Sequence, residues 1–224
     1  MSSSDHSIHP FFRGAGPHGN VVFNFRGAAP DDLPAYAEGY HMAGRALVEK
    51  LAAAHGYADY EGYPILFLYR HALELNMKAL IYRGSKYLGL MTDRNIDAEK
   101  FFGSHDLPRF LPPLREIFDH MGWHGDLNLP GLKTWEDFCG IVRAIDELDH
   151  GSYSFRYPMN THGESPLSHH TVLNVIAFGR NMDALLDALN AAAEGIEERW
   201  DTAAEACYFL QEIAKEWRKD HPEE

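Results

Sequence analysis

The chain is short of most features that announce a function. It holds two cysteines, Cys139 and Cys207, in 224 residues. Two isolated thiols give no disulfide framework and fit a cytosolic protein with reduced cysteines. The longest apolar run, Ile65 to Tyr69, falls far below the roughly 20 residues of a membrane-crossing helix, so no membrane partner is expected. The opening MSSSDHSIHPFFRG lacks a charged start followed by an apolar stretch, so no signal peptide is expected and the cytoplasm is the expected location. Basic residues are scarce: 20 Lys and Arg stand against 33 Asp and Glu, a formal net charge of -13. No basic stripe gathers them, which removes the usual electrostatic route to nucleic acid. A Gly-rich phosphate loop, a Gly-x-Ser-x-Gly elbow and zinc-finger spacing are also missing, so no cofactor is expected. The 14 histidines are plentiful but scattered, unlike a metal-binding tract.

What is present is helical periodicity over a 45% hydrophobic chain, enough for one sizeable core. Residues 1–30 are rich in Gly, Pro and His and read as an irregular arm with one extended stretch, Val21 to Phe25. Residues 31–224 read as a single helical-bundle domain. A first helix is expected over 31–55, capped by Asp31 and Asp32. A second is expected over 60–83, stopped by Gly84, with a long connection over 85–104. The third starts near His105, where Pro112 and Pro113 kink or restart it. Thr134 and Asp137 have the spacing of a capping box for the fourth, 135–150. Two more helices are expected over 168–193 and 196–218, with Trp200 and Trp217 in core or dimer packing. Strand patterns are nearly absent, so the expected fold is all-α, an up-and-down helical bundle with an N-terminal arm and an extra C-terminal helix.

The second helix is unusual. After the apolar PILFLY it places Arg70, His71, Glu74 and Lys78 on neighbouring turns. Arg70, Glu74 and Lys78 stand four apart on one face, the spacing of an ion-pair ladder. At a buried position such charges need a partner, a ligand or a neighbouring subunit.

The motif HALELNMKALIYRG, followed by HDLPRFL, resembles the HEPN superfamily of nucleotide- and RNA-associated four-helix bundles. Ala72, Glu74, Lys78, Ala79, Leu80, Gly84, His105, Asp106 and Leu107 carry the likeness, and the later Phe155-Arg156-Tyr157-Pro158 is similar to a segment of many relatives. The likeness covers about residues 36–190. It implies a homodimer of a bacterial defence or toxin–antitoxin system, with RNA or a nucleotide as ligand and an antitoxin or other defence protein as partner. It leaves two functions open. Many relatives are metal-independent ribonucleases with an Arg and a His separated by four to six intervening residues; others have lost that motif and bind a protein or nucleotide.

The spacing recurs four times, as Arg13–His18, Arg115–His120, Arg143–His150 and Arg156–His162. Context favours Arg143–His150, two turns apart at the end of the fourth helix, and then Arg156–His162 beside Tyr157 in the following loop. In such a site His moves the proton of the attacking 2′-hydroxyl or the leaving oxygen, and Arg stabilises the phosphate. Arg70, His71, Glu74, Lys78, His105 and Tyr157 are the candidate binding or interface residues. His120, His124 and Asp126 are a weak metal candidate, because Gly122 and Gly125 break the helix they would need. His169 and His170 read as the start of a helix.

Overall fold

The computed structural model describes residues 21, 29–54, 59–123, 129, 132–159, 162–165 and 172–221. Most of the arm, its extended stretch, Arg13–His18, His124, Asp126 and the His169–His170 pair lie outside them. The described residues form an all-α bundle, as the sequence leads one to expect, with no strand longer than the single bridge between Leu129 and Leu132.

A short 3-10 turn, Ala29–Asp32, leads into α1, Leu33–Ala54. Asp31 and Asp32 close that turn directly before α1, and Asp31 reaches Lys86 at 3.1 Å. Helix α2, Gly62–Met91, is the central element and packs on both α1 and α6, Val175–Asp220. Its buried residues run round the whole helix surface, because neighbours cover it on several sides.

Gly84 does not stop α2. The helix continues seven residues further, into what reads from sequence as a connection. Gly84 is there because α4, Leu111–His120, crosses α2 at that point: a Cβ on Gly84 would meet Ile117 side-chain atoms at 2.5–2.8 Å. A glycine that admits a neighbouring helix is indistinguishable, in one sequence, from a glycine that ends its own.

The remaining link shortens further through α3, Glu99–Phe102, and a 3-10 turn over Leu107–Phe110 that feeds α4. Pro112 and Pro113 sit in the first turn of α4, where a missing N–H costs nothing. Helix α5, Trp135–Leu148, carries the full capping box: Thr134 accepts from the Asp137 N–H, and Asp137 accepts from the Thr134 N–H. Residues 172–174 are not helical, and Asn174 caps α6 through a bond from the Ala177 N–H. From there α6 runs unbroken through Gly195, so the two helices expected in the last third are one. Trp123 lies 3.3 Å from where a Gly195 Cβ would be, so this glycine too serves a contact.

Candidate functional site

Four elements meet around Arg70: α2, the turn before α4, the end of α5, and a 3-10 turn over His150–Ser152. Arg70 is completely buried. Its Nε donates to the Asp149 carbonyl at 3.0 Å, Nη1 to Glu74 at 3.0 Å, and Nη2 to the His105 carbonyl at 2.7 Å and Asp146 at 3.4 Å. Lys78 donates to the other Glu74 oxygen at 2.8 Å and to the Phe102 carbonyl at 2.9 Å. The i, i+4 ladder therefore exists, but it lies inside the protein and ties α2 to three later segments.

Burial raises the pKa of the Glu74 carboxyl, but the hydrogen bond and charge of Lys78, with His105 and Arg70, outweigh it. Glu74 is held below the ordinary carboxylate range. Asp146 is shared three ways. One oxygen receives Arg70 and the Leu107 N–H at 3.2 Å, and the other holds His150 Nδ1 at 2.9 Å. Asp149 is also buried and accepts the Ser154 N–H, which folds the next loop against the network.

Two histidines rise from this buried layer. His105 Nδ1 lies 2.9 Å from Glu74, and His150 Nδ1 lies 2.9 Å from Asp146. Their carboxylates are almost fully buried, whereas the imidazoles are 50% and 80% exposed. With Nδ1 committed to an ionised carboxylate, that nitrogen carries the proton and Nε2 is the atom left for chemistry. Both dyads share Arg70, so the two rings are fixed relative to each other through one guanidinium.

A cavity of about 320 Å³ is lined by Tyr60, Tyr63, Ser154, Phe155, Arg156, Tyr157 and neighbours. Arg156 donates to the Ser152 carbonyl and its guanidinium lies 5.7 Å from the rings of both Phe67 and Tyr157. The loop that lines the cavity begins four residues after His150 and is anchored on Asp149. Through Ser154 the cavity is therefore tied to Asp149, the residue before His150.

The residues singled out from sequence fall into three groups. Arg70, Glu74, Lys78, His105 and His150 come together. Arg156 and Tyr157 line the cavity tied to Asp149. Arg143 and His71 do not join them. Arg143 is exposed on α5, and the partner of His150 is Asp146, four residues back. Helical spacing puts Arg143, Asp146 and His150 on one side, but the bond at His150 Nδ1 goes to Asp146. His71 faces away from the network, stacked on Phe67 with ring centroids 5.5 Å apart and edge-on to Tyr40 of α1 at 4.5 Å. Burial lowers its pKa. His162 is exposed in the loop after the cavity. Arg115 pairs with Asp119 at 3.0 Å, and His120 packs against Tyr87, so that candidate pair is divided between other partners.

Asp146 and Asp149 are the residues that sequence reading passes over. The signal was the i, i+4 carboxylate in DELDH, which places Asp146 under His150. A second cluster was equally hidden. Buried His41 and the Tyr69 hydroxyl both reach one Asp183 oxygen at 2.8 Å, and Arg45 lies 3.3 Å from it, joining α1, α2 and α6. Burial, then the hydrogen bond and charge of Asp183, pushes the Tyr69 phenol well above its ordinary pKa. It is a structural clasp with little open surface.

The site thus belongs to an all-α bundle with two carboxylate-anchored histidines over one buried arginine. No family model, curated protein or solved structure matches the chain. Among the described residues, no helix is long and apolar enough to cross a membrane.

Proposed function

We propose that this chain is a HEPN-like endoribonuclease that cleaves single-stranded RNA without a metal, acting in the cytoplasm within a bacterial defence or toxin–antitoxin system. The observation that carries the reading is the pair of exposed imidazoles, His105 and His150, each fixed through Nδ1 by a buried carboxylate. Two such groups suffice for phosphodiester transfer. The neutral imidazole takes the proton of the 2′-hydroxyl as that oxygen attacks phosphorus. The P–O5′ bond breaks, and the second imidazole, protonated, gives its proton to the leaving 5′-oxygen. The products are a 2′,3′-cyclic phosphate and a 5′-hydroxyl, and no redox partner is needed.

Arg70 is a positioning residue in this scheme. All three of its nitrogens already donate within the protein, so it holds the carboxylates and not the phosphate. Arg156 takes the phosphate role, and the tyrosines of the cavity supply stacking surfaces for bases. In a chain of net charge -13, binding through stacking is a more available route than counterion release.

The expected result is cleavage of single-stranded RNA in EDTA. His105→Ala and His150→Ala should each lower kcat by about 100-fold or more, while Arg143→Ala leaves it unchanged. Full activity in both histidine variants sinks the assignment.

A second reading has its own support. All three nitrogens of Arg70 are satisfied by protein acceptors without a ligand, as in a scaffold that serves a non-catalytic module binding a nucleotide or a protein such as an antitoxin. Titration with nucleoside monophosphates separates the two: binding at the tyrosine cavity with no RNA cleavage favours the module.

A further inference from the structure

Helix α5 packs closely on the turn before α4 and on the 3-10 turn after its own end, while α6 packs closely on α1 and α2. The two helices do not pack closely on each other. Between them lies a second cavity, of about 450 Å³, which shares no lining residue with the tyrosine cavity. Ile141, Ile145 and Leu148 line it from α5, and Phe178, Met182 and Leu185 line it from α6. Spacings of four and three put each set on one helix face. Ala144 and Ala184 also line it, and their methyl groups are too short to fill it. Protein interiors are otherwise packed to crystal-like density, so these walls lack contacts that an apolar guest would supply.

Depth distinguishes this cleft from a docking face. Ile145, Met182 and Leu185 are 6%, 3% and 1% exposed and form its floor. Ala144, Arg180 and Asn181 are exposed and mark its mouth. An occupant has to enter between the helices to touch the floor, which a flat protein surface cannot do. A small molecule with an apolar body can, and the volume falls within the roughly 300–1,000 Å³ of small-molecule sites.

The mouth selects the other end of the ligand. Among the described residues, Arg180 is the only ionisable group lining the cleft, in a chain of net charge -13. It makes no ion pair among the described residues, whereas Arg45, Arg70, Arg83, Arg94 and Arg115 all do. A guanidinium in that state matches one carboxylate, because its planar fork gives two parallel hydrogen bonds and one charge balances one charge. The amide of Asn181, the next residue, adds a further donor at the mouth. An ammonium head would meet like charge there, and a phosphate monoester would bring nearly two charges to one cation.

We infer that the cleft between α5 and α6 binds a small monocarboxylate, with its aliphatic chain between the helices and its carboxylate on Arg180. The cleft is separate from the histidine pair, so the test reads binding and needs no RNA. Isothermal titration of the full chain with hexanoate, octanoate, decanoate and tetradecanoate, each below its micelle concentration, supplies it. Binding should be one to one. It should tighten by about fourfold for each methylene at first, then level off once the chain fills the cleft. Decylammonium, with the same apolar body, should not bind. Arg180→Ala should weaken decanoate by about tenfold or more. Arg180→Glu should reverse the preference, taking decylammonium and refusing decanoate. Arg180 is exposed, so both variants should keep the circular dichroism of the native chain. Ala184→Phe should abolish binding by filling the cleft. Decanoate bound as tightly by Arg180→Glu as by the native chain overturns the choice of head group. Affinity that climbs without a limit to tetradecanoate, several chains bound per protein, or a folded Ala184→Phe that binds normally moves the ligand to the exposed apolar end of α6 and overturns the cleft. No saturable binding across the series overturns the inference as a whole.

Discussion

Gly84 and Gly89 lie five residues apart in α2, and a methyl group at each should act with opposite sign. In a helix interior, Gly→Ala is worth about 1 kcal/mol of stabilisation, because it removes backbone freedom from the unfolded chain. Gly89 has nothing within 4 Å of a Cβ, so Gly89→Ala should collect most of that gain. At Gly84 the new Cβ would stand 2.5 Å from Ile117 Cδ1, 2.7 Å from Cγ2 and 2.8 Å from Cγ1. Ordinary contact begins near 3.4 Å. Three atoms of one β-branched side chain are overlapped, two of them bonded directly to its Cβ, so a rotamer change cannot clear all of them. Either α4 moves off α2 by most of an ångström or Ile117 leaves its well. Overpacking of that kind costs about 1–3 kcal/mol. Set against the helix gain, Gly84→Ala should destabilise by up to about 2 kcal/mol, a fall in Tm of up to roughly 8 °C for a chain of this size. Urea melts followed by circular dichroism measure both variants. Adding Ile117→Ala to Gly84→Ala should cost less than the two single effects combined, since the new methyl then enters the space left behind. A Gly84→Ala protein as stable as Gly89→Ala would show that Gly84 is not where α4 docks.

Two further outcomes follow from the buried charges. Arg70→Met leaves Glu74, Asp146 and Asp149 without their shared cation and should destabilise by about 3–5 kcal/mol in the same urea melts, the cost of stranding buried charge; a loss under 1 kcal/mol would show that water reaches the network. Acid should weaken the fold in two stages. His71 has a lowered folded pKa, so below its ordinary value near 6.5 the unfolded chain binds the extra proton and stability falls. Glu74 is also depressed, so its contribution is complete above the ordinary carboxylate range and is lost as pH falls through its lower folded value. His71→Phe should remove the first stage and keep the second, read as Tm against pH; an unchanged profile between pH 7 and 5 would contradict the burial of that ring.

Legibility from sequence differed by type of information. The helices whose signals are local were clear: the capping box of Thr134 and Asp137 and the apolar stripes of α2 and α5 need only neighbours along the chain. Element ends were misread where a residue answers to a distant partner. Gly84 answers to Ile117 and Gly195 to Trp123, so neither marks a boundary. The candidate site divided in the same way. Glu74, Lys78 and His105 stand out as ionisable residues at buried spacing. Asp146 and Asp149 do not, since an aspartate near a helix end is ordinary and only the approach of Arg70 from α2 gives it a role. Arg143 shows the converse: correct spacing to His150 counts for nothing when Asp146, one turn away, holds the ring.

By itself, then, the sequence determined an all-α chain, because periodicity and capping act within a few residues. It also pointed to charge near the core, since Arg70 and His71 directly follow PILFLY, but only the tertiary structure put Glu74 and Lys78 inside. Tertiary structure alone decided which carboxylates meet Arg70, which two of their histidine partners are exposed, and that the end of α6 is left uncovered by the other described residues. Those outcomes depend on where helices cross, and a crossing is fixed by the fit of side chains from distant parts of the chain.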